Sequence, residues 1–156
     1  MLNPGKPVFG LTAWLVLAAL LAHIGEEWPR FPEWATRHFG TTTSRWYAIS
    51  HVIIVALVAW LCSRAAIPTP SRATAAGFVT VIAALAANTL FHVASTLAFA
   101  EYSPGLGTAL LYVPLLLVAG TRAAQRYDQA LVVRASVAGL LLSAAITATM
   151  WIKVPV

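Results

Sequence analysis

Five apolar runs fill this chain and leave it little else to fold with. They lie at about 7–25, 46–63, 75–100, 105–120 and 130–152. A membrane-spanning helix needs about 20 mainly apolar residues. The fourth run is short for that, and Pro114 inside it is expected to kink the helix. Composition agrees. The chain is 60% hydrophobic and 10% charged, where a soluble domain carries about 25% charged residues. The expected fold is therefore all-α, a polytopic membrane helix bundle of about five transmembrane helices. It forms one domain over 1–156, with helices at about 7–27, 46–63, 75–100, 105–120 and 130–152. An outer loop covers 28–45.

Cys62 is the single cysteine, so there is no internal disulfide and no CxxC metal or redox motif. The net charge of +5 comes from basic residues in short connections. Topology accounts for them, and no nucleic-acid partner is expected. Lys6 before an apolar run has the outline of a signal peptide. The residues near Ala22 make a poor cleavage site, so the first run is read as a retained helix.

One side of the bundle holds Lys6, Arg64, Arg72, Arg122 and Arg126, with Arg134 close by, able to snorkel to the interface. The other holds Arg30, Arg37, Arg45 and Lys153. That bias puts the N-terminus in the cytoplasm and the C-terminus outside. The acids are more lopsided: Glu26, Glu27, Glu33 and Glu101 fall at the outer end, and Asp128 alone at the inner end. The 28–45 loop is expected to cap the outer surface, with Trp28, Trp34, Trp46 and Trp151 at headgroup level. His38 is read as a solvated loop residue.

Antiparallel connection brings the remaining polar residues together. His23, Glu26 and Glu27 close the first helix at i, i+3 and i+4, on one face. His51 lies one to two turns into the second. Asn88 and His92 sit four apart on the third, flanked by Ser95 and Thr96, before Glu101 and Tyr102. Thr108 and Tyr112 open the fourth. Ionisable groups inside a membrane are costly, so they face the bundle interior and pair there.

Two chemistries suit this set. The first is a divalent metal, zinc or iron, bound by His23, Glu26 or Glu27, His51 and His92, since helical i, i+3 and i, i+4 spacing lets two side chains share an ion. The remaining one of Glu26 and Glu27 is then acid or base, because neighbours on a helix point ~100° apart; Asn88 orients a ligand or the substrate. The second needs no metal: a buried, protonated glutamate acts as general acid beside a histidine, as in an isomerase or cyclase. Interhelical hydrogen bonding alone explains one polar residue well, but three histidines and two glutamates poorly. Haem on His51 and His92 leaves the glutamates unexplained. A proton or metal-ion transporter wants polar residues continuing into the inner half, which looks dry.

His23-Ile24-Gly25-Glu26-Glu27 resembles the motif of the HXXEE family of small bacterial integral membrane proteins. Asn88-x-x-x-His92, Tyr102-Ser103-Pro104-Gly105 and Pro114 strengthen the likeness over roughly residues 20–115. The family is one of uncharacterised function. The resemblance implies a bacterial plasma-membrane protein and adds weight to His23, Glu26, Glu27, Asn88 and His92. Pro104 and Gly105 are expected to form a tight turn, and Gly105 and Gly107 to let that backbone approach the first helix closely. The leading expectation is a metal-dependent membrane enzyme, a hydrolase or oxidoreductase. Its partners are membrane lipids and an apolar, lipid-like or isoprenoid-like substrate drawn from the bilayer.

Overall fold

The computed structural model describes residues 7–40 and 43–149. Lys6, Trp151 and Lys153 lie outside the described residues. All regular structure among the described residues is helical: α1 Leu11–Glu27, α2 Phe31–His38, α3 Ser44–Ala65, α4 Arg72–Phe99, α5 Leu106–Ala109, α6 Tyr112–Arg126 and α7 Gln129–Thr149. Four stretches are long and apolar enough to cross a membrane: α3, α4, the run Leu106–Arg126 and α7. The pair α1 and α2, bent by 68°, makes a fifth if it counts as one span. Large apolar side chains point outward along these helices; Leu97 is 77% exposed and Val52 is 69% exposed. Such surfaces suit hydrocarbon and not water.

Local chemistry sets the ends. Thr43 caps α3 by accepting from the Trp46 N–H at 3.1 Å, and Ser71 caps α4 through the Thr74 N–H. Asp128 accepts from the Leu131 N–H at 2.6 Å at the start of α7 and pairs with Arg72. Pro29 stops α1 two residues after Glu27. The expected kink at Pro114 is a break at Leu110–Leu111, between α5 and α6. Proline has no N–H for the Leu110 carbonyl, and its ring crowds that oxygen. At the third position of α6 the missing N–H costs nothing.

The main apolar core joins Phe9, Val16, Leu20, Val58, Phe78, Val79 and Ile82 with small residues of α6 and α7. Gly139 sets the α4–α7 crossing: a Cβ there would collide with the Thr80 carbonyl and come within 2.7 Å of Ala83 Cβ. Arg122 of α6 ties back to the first turn of α1 through Thr12 Oγ1 at 2.9 Å.

The 28–45 connection is not the bare loop expected. It folds α2, with Pro32 in the first turn and Glu33 and Arg37 placed to suit the helix dipole. Phe31, Trp34 and Ala35 fall on one face and are buried. Trp34 is therefore no headgroup residue. It is 1% exposed, packed among Phe31, Phe39, Phe91 and Phe99. Trp28 and Trp46 are exposed.

His38 is likewise not a free loop residue. Its ring stacks on Phe99 with centroids 4.0 Å apart, and its Nε2 lies 2.9 Å from Glu101 Oε2. Arg37 donates to the other Glu101 oxygen at 2.7 Å. This clasp ties α2 to the end of α4. The bond from His38, then the Arg37 guanidinium, holds the Glu101 carboxyl below its ordinary value of 4.5. A depressed carboxyl stabilises fully above that ordinary value and loses its contribution as the pH falls through the lower folded value. Acidification is thus expected to loosen α2. The Trp34 indole resonance should shift on acid titration of the native protein, and Glu101→Gln should abolish that step. The effect is modest and weakened by salt, because the clasp is exposed.

Candidate metal centre

α1 ends at the acidic pole of the bundle, where it meets α3, α4 and the turn 101–105. Ala100 makes that turn possible by adopting a left-handed conformation, φ 49°, after the last residue of α4. Gly105 follows with φ 100°. Its backbone lies flat against the polar residues: a Cβ there would sit 2.7 Å from Glu27 Cγ and His23 Cε1, and 3.0 Å from His92 Cε1. The close approach expected of Gly105 is made against all three.

His23, Glu27 and His92 form the centre. All three are buried, at 3%, 4% and 0% exposure. One ligand atom from each lies within 4.8 Å of the others. Glu27 Oε1 is 3.3 Å from His92 Nε2 and 3.5 Å from His23 Nε2. His51 stands just outside, its Nε2 3.7 Å from Glu27 Oε2 and its side chain 21% exposed.

The far nitrogen of each ring fixes which way the imidazole presents its lone pair. His23 Nδ1 is 3.0 Å from the Gly105 carbonyl, and His51 Nδ1 is 2.8 Å from the Tyr47 carbonyl. A carbonyl only accepts, so both Nδ1 atoms carry hydrogen and both Nε2 atoms face Glu27 as lone pairs when neutral. His92 Nδ1 is held by Ser103 Oγ at 2.9 Å. Asn88 Nδ2 is 3.1 Å from Nε2 of both His23 and His92, so one amide group donates to two lone pairs. Tyr47 donates to Glu27 Oε2 at 2.8 Å.

Glu26 does not join Glu27. Its Oε2 accepts from the Thr108 N–H at 2.8 Å and the Thr108 hydroxyl at 2.5 Å. Its Oε1 accepts from the Gly107 N–H at 3.2 Å and from Tyr102. Four donors fill this carboxylate and clamp the segment 102–108 to α1. The bond to Glu26 raises the Tyr102 phenol above its ordinary value, with partial burial adding to it, which keeps that phenol a donor. Thr108 Oγ1 also lies 3.2 Å from His23 Nδ1, so the clamp steadies the back of the ring. Glu101 is outside the centre, in the α2 clasp.

The expected set divides accordingly. His23, Glu27, Asn88 and His92 converge, with His51 at their edge; Glu26 and Glu101 hold the walls. The sequence reading missed Tyr47 and Ser103. Tyr47 precedes His51 by four residues on α3, the same spacing that singled out Asn88 and His92. Beside the centre, behind Glu26, a cleft of about 720 Å³ opens between α2 and the turn, lined by Trp34, Arg37, Glu101 and Tyr102 among others.

A family model described as "protein of unknown function with HXXEE motif" matches residues 14–119. No curated protein and no solved structure matches the chain.

Proposed function

This chain belongs to the HXXEE-motif family, whose function is unknown, and from its geometry we propose that it is a membrane metalloenzyme in which His23, Glu27 and His92 bind a divalent ion, zinc or iron. The observation that carries the reading is the arrangement of the imidazoles. Nε2 lone pairs and a carboxylate are gathered within 4.8 Å, while the Nδ1 atoms are tied to a carbonyl and a hydroxyl. Metal-binding histidines are oriented in just this way by partners on the other nitrogen. Two histidines and one carboxylate also leave coordination sites open, as catalytic zinc and non-haem iron centres do.

Bound there, the ion would activate a water molecule or polarise a substrate oxygen. The chain's own groups do the rest. Tyr47 fixes the Glu27 carboxylate. Asn88 satisfies the two Nε2 lone pairs and cedes them to the ion. His51, its Nε2 3.7 Å from Glu27 Oε2 and its ring partly exposed, serves as proton acceptor or as a further ligand. Glu26 keeps the 102–108 segment closed over the centre. The substrate is an apolar, lipid-like or isoprenoid-like molecule, because hydrocarbon surrounds the bundle on most sides. The enzyme sits in the bacterial plasma membrane with its N-terminus in the cytoplasm and its C-terminus outside, following the basic residues. His23→Ala and His92→Ala are each expected to release bound metal from purified, folded protein. Retention of a full equivalent in both contradicts the assignment.

A second reading rests on one observation: Asn88 and Tyr47 already satisfy much of the cluster without an ion. Glu27 then acts as a protonated acid in an isomerase or cyclase. That reading predicts a carboxylic-acid C=O band in the infrared spectrum that Glu27→Gln removes, in protein unaffected by chelators.

A further inference from the structure

Tyr112 is fully buried, and its hydroxyl has no hydrogen-bond partner among the described residues. Leaving a buried hydroxyl unpaired costs about 1–3 kcal/mol, so an orphan in a native interior calls for a missing partner. Ala19 and Ala109 share its apolar cluster, with Leu85, Ala86 and Leu115 packed against that cluster. The Tyr112 ring stands edge-on to His23 with centroids 5.4 Å apart. His23 Nε2 in turn lies 3.5 Å from Glu27 Oε1. Glu27 Oε2 already accepts from Tyr47 at 2.8 Å.

We infer that Tyr112 is the oxyanion-binding residue of this centre: its hydroxyl donates to an oxygen of the ligand held at the open side of an ion on His23, Glu27 and His92. The inference rests on the metal reading and narrows it. The ligand presents an anionic oxygen, a carboxylate or a group of like chemistry, either free or as the head of a lipid. The position supports this. Tyr112 opens α6 beside His23, while Tyr47 and His51 stand on α3 beside Glu27.

The test uses the full chain in mild detergent, stripped of metal and reloaded with Co²⁺ as a visible reporter. Acetate and dodecanoate are then titrated against the cobalt spectrum. Tyr112→Phe removes only an unpaired hydroxyl, so its thermal midpoint should be unchanged or higher. It should bind Co²⁺ like the native chain but acetate about tenfold or more weakly. Tighter binding of dodecanoate than acetate assigns the lipid-borne source, and equal binding the free anion. Unchanged anion affinity in Tyr112→Phe overturns the inference and assigns the hydroxyl to a buried water. A parallel fall in Co²⁺ affinity also overturns it, because the residue then acts on the protein and not on the ligand. Failure of the native chain to bind Co²⁺ at all is a failure of the metal reading instead.

Discussion

Gly105→Ala is expected to abolish the centre while most of the bundle stays folded. The new methyl group would press on Glu27 and His23 at 2.7 Å and on His92 at 3.0 Å. These are the three groups proposed to bind the ion, and none can retreat freely, since Gly105, Ser103 and Tyr47 hold them from behind. The backbone adds strain, because φ 100° is unfavourable for any residue with a Cβ. Overpacking and strain together should cost about 3 kcal/mol. A lowered thermal midpoint and loss of bound metal are the readouts. Gly25→Ala is the control within the same motif. Nothing lies within 4 Å of a Cβ there, so metal stays bound and α1 gains up to ~1 kcal/mol in helix propensity.

The two adjacent glutamates should separate as sharply. Glu27→Gln keeps a partner for Tyr47 but removes the carboxylate that lies beside His23 and His92. Metal affinity should fall by more than about 100-fold, since losing even an outer partner of a ligand costs ~10–100-fold. Glu26→Gln should leave metal stoichiometry unchanged. It replaces an acceptor of four donors with a group that accepts through one oxygen. The expected cost is about 1–3 kcal/mol of stability, read as faster proteolysis of the 102–108 segment. Metal loss in Glu26→Gln with retention in Glu27→Gln would reverse the assignment.

Much of this arrangement is legible in the chain itself. The apolar runs give the helices, because spanning length and composition leave few alternatives. The gathering of His23, Asn88 and His92 follows from antiparallel connection and helical spacing. What escapes is whatever depends on how a surface segment docks. The 28–45 stretch reads as a loop because its prolines and charges hide an i, i+3, i+4 face of Phe31, Trp34 and Ala35, and only tertiary packing reveals which side is buried. For the same reason the sequence alone places Trp34 and His38 at the surface. Glu26 and Glu27 are indistinguishable in sequence; the turn at Ala100 and Gly105 decides which one faces the histidines. Tyr112 reads in the sequence only as one of the polar residues that open the fourth run. Its meaning lies in a hydroxyl left without a partner, which no pattern of letters records.

The measurement that bears most directly on the central claim is the metal content of the native chain, purified without a polyhistidine tag or chelator and analysed by mass spectrometry. About one equivalent of zinc or iron per chain, lost in Glu27→Gln and kept in Glu26→Gln, is the predicted result. Folded protein carrying no metal above background, and taking up none on addition of zinc or iron(II), would contradict it and leave Glu27 as a proton-transfer group among three histidines.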